Sequence, residues 1–197
     1  MIAIVNYGVG NLKSIQKALE YVGGKVIVTA DAKTISEASG VIFPGVGAFR
    51  TAISKLNEMR EVIDDLSVSV LGICLGMQLL ASESYEGGRF EGLNRVPGRV
   101  VRFPSEVGKV PHMGWNNVEI IRDHEIFDGI ENGSFFYFVH SYYLETDRRY
   151  VVGETEYGLR FASAIAERNY IGVQFHPEKS GKVGLRLLEN FLKLCRS

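Results

Sequence analysis

The residues best suited to chemistry lie around Cys74 and His176. Gly72-Ile73-Cys74-Leu75-Gly76 follows an apolar run and precedes the helix-forming run Met77-Gln78-Leu79-Leu80-Ala81. That context matches a G-x-nucleophile-x-G elbow whose nucleophile is a thiol. On such a sharp strand-to-helix turn, flanking glycines relieve crowding and the helix N-terminus stabilises a thiolate. Cysteines are more often plain core residues, so the elbow needs a proton-handling neighbour to mean anything. The four histidines are His112, His124, His140 and His176. His176 has the best context, because it ends an apolar strand (Gly172 to Phe175) and opens His176-Pro177-Glu178. There the proline restricts the backbone, and a carboxylate two residues on can turn back to the imidazole. Glu178 would fix the ring tautomer and stabilise the imidazolium, the third role of a triad.

A third element is Phe43-Pro44-Gly45-Val46-Gly47, a glycine-rich turn directly after a strand. By itself it reads equally as an ordinary βα turn or as part of an oxyanion hole. In the second reading an N–H from Val46 or Gly47 would join that of Leu75 on a developing negative oxygen. Gly8-x-Gly10 after the first strand invites a dinucleotide reading, but Lys13 stands where the third glycine is required. A nicotinamide or flavin site is rejected on that ground.

These groups have to be positioned by a sheet. Ile2 to Val5, Val26 to Val28, Val41 to Phe43 and Val70 to Ile73 read as strands. A helix carrying Leu12, Ile15, Leu19 and Val22 on one face follows the first, stopped by Gly23-Gly24, and an amphipathic stretch runs from about Phe49 to Leu66. Alternation of this kind signals βα units and a parallel sheet. From about Val96 to Val173 short strands separated by turns predict a largely antiparallel part, and a last helix from about Ser180 to Leu194 puts Val183, Leu187, Leu188 and Phe191 on one side. The expectation is a three-layer α/β architecture in which both halves share one sheet system.

The bulk numbers fit a single domain over residues 1–197, with 46% apolar and 23% charged residues and 22 glycines against 5 prolines. A net charge of −1 and the lack of any Lys/Arg cluster argue against nucleic acid. The first residues lack the features of a targeting leader and no run is long enough to span a membrane, so a cytoplasmic, unanchored protein is expected. Two cysteines, Cys74 and Cys195, make neither a disulfide scaffold nor a zinc-type spacing. Cys195 and His124 read as structural or incidental.

Taken in chain order, Pro44-Gly45-Val46-Gly47, Gly72-Ile73-Cys74-Leu75-Gly76-Met77-Gln78 and Phe175-His176-Pro177-Glu178 resemble the marks of the class I (triad) glutamine amidotransferases. Asn6-Tyr7-Gly8-Val9-Gly10-Asn11-Leu12, Pro111-His112-Met113-Gly114-Trp115-Asn116 and Tyr137-Phe138-Val139-His140-Ser141-Tyr142 narrow the resemblance to the glutaminase subunits of imidazole glycerol phosphate synthases. The resemblance covers essentially the whole chain. It implies a flavodoxin-like three-layer fold, mostly parallel with an antiparallel extension, and no cofactor. It implies catalysis by Cys74, His176 and Glu178, with an oxyanion hole at Val46, Gly47 and Leu75. Glutamine would be held by Gly47, Gln78, His140, Ser141 and Tyr142. It also implies a heterodimer with a (β/α)₈-barrel cyclase subunit, which makes imidazole glycerol phosphate and an aminoimidazole carboxamide ribonucleotide. Asn11, Trp115, Tyr137 and Lys179 would face that partner, with Met113 and the aromatic run from Phe135 as further candidates. Phe136 and Phe138 fit a buried strand equally well, whereas alternation puts Tyr137 on the opposite face. Other glutaminase subunits, a peptidase or γ-glutamyl hydrolase, and a non-catalytic binding module are the competing readings.

Overall fold

In the computed structural model, which describes residues 1–8 and 10–196, four apolar runs form parallel strands: β1 (Ile2–Val5), β2 (Val26–Thr29), β3 (Gly40–Phe43) and β4 (Val70–Ile73). Between them lie α1 (Leu12–Tyr21), α2 (Ala32–Ser36), α3 (Phe49–Asn57) and α4 (Arg60–Asp64). Strands that are apolar on both sides need cover on both faces. Ile2, Ile4, Ile42, Leu71 and Ile73 share a core with Ile15 and Leu19 of α1 and with Leu187, Leu188 and Phe191 near the C-terminus. Ala3, Val5, Val41, Phe43 and Val70 share another with Ile35, Phe49, Leu56 and Ile63. The period of two along each strand thus divides its side chains between two helical layers.

After α5 (Leu75–Leu79) come β5 (Ala81–Ser84), β6 (Phe90–Glu91), β7 (Val96–Arg102), β8 (His112–Asn117), β9 (Glu119–Ile120), β10 (Phe135–His140), β11 (Tyr142–Thr146), β12 (Val151–Glu156), β13 (Arg160–Glu167) and β14 (Tyr170–Val173), and then α6 (Gly181–Leu194). The main sheet has the order β2-β1-β3-β4-β14-β13-β12-β9. β14 lies parallel to β4 and antiparallel to β13, so it joins the parallel half to the antiparallel extension. One shared sheet is therefore only part of the arrangement: β8 pairs with β10 alone, and β11, β7, β5 and β6 form a third sheet.

Several boundaries differ from those expected. The stretch from Phe49 to Leu66 is two helices, because the first closes on short bonds from the Glu58 and Met59 amides to the Lys55 and Leu56 carbonyls. The helix after Cys74 is one turn and ends at Leu79; pairing of Ala81 with Val96 pulls the rest of that run into a strand. The strand before His176 ends at Val173, two residues early. Pairing in the second half is not uniformly antiparallel, since β5 lies parallel to β7. Among the described residues no helix is long and apolar enough to cross a membrane.

Candidate active site

At the end of β4, Cys74 takes φ +52° and ψ −104°, a conformation that strains a residue with a Cβ. Its neighbours hold it there: its N–H donates to the Val173 carbonyl at 2.7 Å and its carbonyl accepts from the Gln78 N–H at 3.2 Å. The flanking glycines are required by close approach. A Cβ on Gly76 would lie 1.9 Å from the Phe43 oxygen, and one on Gly72 would lie 2.5 Å from the Gly76 oxygen. With only five residues in α5, the helix field at the sulfur is small. The groups on Sγ are instead the Val139 carbonyl at 3.9 Å and the side-chain amide of Gln174 at 3.5 Å. Gln174 was not singled out by sequence; an amide next to a triad histidine carries no signal of its own.

His176 leaves the neighbouring strand, and its N–H donates to the Tyr137 carbonyl at 2.9 Å. Nδ1 lies 2.7 Å from Oε1 of Glu178, both side chains being fully buried. Burial alone would lower the His176 pKa, but the negative charge of Cys74 and the hydrogen bond and charge of Glu178 outweigh it and raise it to about 10. Nδ1–H therefore donates to the carboxylate, and Nε2 is the nitrogen left for proton transfer. Among the described residues Nε2 has no hydrogen-bond partner of ordinary geometry, so its attraction to Cys74 combines charge with a hydrogen bond of poor alignment. Asn11, placed by the resemblance at a partner interface, is half-buried and donates its side-chain amide to the same Glu178 oxygen.

A cavity of about 340 Å³ opens above Cys74, lined by Val46, Gly47, Leu75, Gln78, His140, Ser141 and Tyr142 among others. The size is at the lower end for small-molecule sites. Every residue expected at the oxyanion or the substrate is thus brought to one place. Two of them are already engaged. Gln78 Nε2 donates to the Tyr142 carbonyl at 3.0 Å and to Gln174 Oε1 at 3.1 Å, which leaves its own carbonyl oxygen for a ligand. Both nitrogens of His140 are committed, one to the Tyr142 carbonyl and one to His112, so His140 can shape the wall but has no free nitrogen to bind with. Glu86 also lines the cavity. It was missed because Glu86-Gly87-Gly88 reads as a surface turn. Half-buried, its carboxyl is pushed above the usual range by desolvation, partly offset by the Phe49 N–H.

The glycine-rich turn faces the site with a carbonyl. The Leu75 N–H donates to the Gly45 oxygen at 3.3 Å, the Val46 oxygen accepts from Gly10 at 3.1 Å, and the Pro44 oxygen accepts from the Tyr7 hydroxyl. The expected pair of amides from Val46 or Gly47 and Leu75 is therefore not formed in this conformation, because the Gly45–Val46 peptide points its oxygen at the Leu75 amide.

Alternation along β8 and β10 sorts the aromatic run. Phe136 and Phe138 are fully buried core residues, while Met113, Trp115 and Phe135 are more than half exposed on the other face. Tyr137 stands opposite Trp115 and meets it edge-on, with the Lys179 ammonium 6.0 Å from its ring centre. Val139, on the same face, lines the cavity mouth. Cys74 and Cys195 are both free thiols. Burial pushes Cys195 up to about 11, and His124 caps a turn through the Ile126 N–H. Among the described residues no cluster of metal-ligand side chains occurs.

A cysteine on a sharp strand-to-helix turn and a buried His–Glu pair just beyond the adjacent parallel strand are arranged as in a triad hydrolase, and residues 3–195 match the model of the class-I glutamine amidotransferases, so the chain belongs to that family. Within it the likeness is to one particular synthase component. The imidazole glycerol phosphate synthase subunit HisH of Archaeoglobus fulgidus is 66% identical over the whole of both chains. That of Moorella thermoacetica is 52% identical over 99% of this chain and 95% of the relative. A glutamine amidotransferase from Thermotoga maritima, at 16% identity, superposes with a TM-score of 0.74 over 100% of this chain and 98% of that one, which shows the shared fold.

Proposed function

We propose that Cys74, His176 and Glu178 hydrolyse glutamine in a chain that forms, as a single domain, the glutaminase subunit of an imidazole glycerol phosphate synthase. The observation that carries the chemistry is the buried His176–Glu178 pair, 2.7 Å apart, set beside a strained thiol at the floor of a cavity. The Cys74 sulfur attacks the side-chain amide carbon of glutamine. His176 gives its Nε2 proton to the nitrogen as the C–N bond breaks, and ammonia leaves. The neutral imidazole then takes a proton from water, whose oxygen displaces sulfur from the thioester to give glutamate. Glu86 and the Gln78 carbonyl oxygen are the acceptors suited to the α-ammonium of glutamine, while Gly47, Ser141 and Tyr142 offer backbone and hydroxyl groups to the rest of it.

Turnover needs the Gly45–Val46 peptide to rotate, so that an amide replaces the carbonyl now on Leu75. The rotation breaks one long hydrogen bond, worth about 1 kcal/mol, next to Gly47, whose φ of +153° shows the freedom of the turn. Binding of the nucleotide-loaded cyclase subunit drives it. The cyclase docks on the Met113, Trp115, Phe135 and Tyr137 face, which shares its side of the sheet with the cavity-lining Val139 and leaves large apolar groups exposed. The complex works in the cytoplasm, where both thiols stay reduced.

The test is glutamate release from glutamine by the purified chain, alone and with the cyclase plus its ribonucleotide, against Cys74→Ala. Strong activation that vanishes in the variant is expected. Cys74-dependent turnover indifferent to the cyclase would keep the triad but overturn the assignment of partner.

A further inference from the structure

We propose that Gln174 is a fourth catalytic group, a buried amide donor that holds the Cys74 sulfur as thiolate and receives it back as a leaving group. This rests on the glutaminase reading of the site.

The placement follows from strand register. Ile73 of β4 is paired with Val173 of β14, so the next residue of each strand, Cys74 and Gln174, emerge side by side. Gln174 is wholly buried, its backbone N–H tied to the Ser163 carbonyl at 2.9 Å. Among the described residues its side chain makes two hydrogen bonds, Nε2 to Sγ at 3.5 Å and Oε1 from Gln78 Nε2 at 3.1 Å.

Which end of the amide meets the sulfur is fixed from outside the pair. The Tyr142 carbonyl can only accept, so Gln78, 3.0 Å away, must turn its NH₂ toward it. That same NH₂ faces Gln174, which must answer with its carbonyl oxygen and so turns its own NH₂ to the sulfur. The opposite rotamer would set two NH₂ groups together and a carbonyl oxygen against the sulfur lone pairs. The Tyr142 oxygen likewise forces His140 to donate through Nδ1, so His140 accepts at Nε2 from His112, which accepts in turn from Asn116. A single carbonyl therefore sets the polarity of the whole network, and the network ends as a donor on Sγ. An amide donor favours anionic over neutral sulfur. It lowers the barrier to forming the nucleophile, loosens when sulfur becomes a thioester, and favours thiolate departure when water adds to that thioester.

The test is the pH profile of iodoacetamide alkylation at Cys74 in the full chain, followed by peptide mass mapping so that Cys195 is counted apart. It needs no glutamine turnover, so its failure is distinct from failure of the glutaminase assignment. Gln174→Met, close in shape and without a donor, should alkylate about tenfold more slowly at neutral pH, with the profile displaced to higher pH and the near-ultraviolet circular dichroism unchanged. Gln174→Glu serves if the Met variant does not fold, and should slow the reaction further, because a carboxylate replaces the donor. Wild-type rate and profile in a folded variant of either kind would overturn the proposal.

Discussion

Glu178 matters through charge as well as shape. It accepts from Nδ1 of His176 and from Asn11 on one oxygen, while its other oxygen, fully buried, has no partner among the described residues. Replacing it by Gln removes the charge and lets the imidazole adopt the wrong tautomer. The expected loss in kcat is on the order of 10³-fold, with the KM for glutamine little changed, measured with the partner bound. Because the Cys74 and Glu178 charges hold His176 protonated to about pH 10 in the free chain, the alkaline limb of kcat/KM should lie near that value and not near 6.5. In Glu178→Gln that limb should move to lower pH, since one of the groups raising it is gone. Cys74, His176 and Glu178 could be singled out in sequence because each sits in a local pattern. Gln174, Glu86 and the Asn11 contact were not, because each acts through a partner more than thirty residues away, and distance in sequence leaves no local trace.

Elements set limits that single residues do not show. Gly76→Ala would drive a methyl group into the carbonyl that ends β3, so strand and elbow must separate. Urea titration should show a loss of about 3 kcal/mol. The histidine pair on β8 and β10 makes a pH prediction. Desolvation holds His112 down to about 4 and His140 to about 3, the latter helped slightly upward by the Tyr142 carbonyl. Below pH 6.5 the unfolded chain binds protons there that the folded chain refuses. The stability these groups contribute is therefore present above 6.5, falls as pH drops toward 3, and levels off below. Melting midpoints taken from pH 7 to pH 3 should trace that slope. Strand positions in the first half were readable because each is apolar on both faces. The one-turn helix after Cys74 was not, because Leu80 and Ala81 are good helix formers captured by pairing with β7.

At the scale of the molecule, the exposed face of the β8–β10 sheet is the surface whose loss should be felt only in assembly. Trp115 is 56% exposed, so Trp115→Glu should leave the melting midpoint and Cys74 alkylation unchanged. Affinity for the cyclase, measured by calorimetric titration, should fall roughly thirtyfold, as for an interface aromatic worth about 2 kcal/mol. The layered α/β architecture followed from the alternation of strands and helices. The division into three sheets did not, since periodicity tells which residues face a core but not which strand lies beside which. The pairing of β4 with β14 carries a consequence for the life of the protein in the cell. Cys74 is synthesised well before His176, its proposed base, which lies three residues beyond β14. Until residue 178 has left the ribosome the seat between β4 and β13 stands vacant, and a nascent chain or an abortive fragment holds a cysteine with no base beside it. On the proposed mechanism half-made copies spare glutamine, because the strand that finishes the sheet also brings His176 to Cys74, and the finished chain still awaits rotation of the Gly45–Val46 peptide.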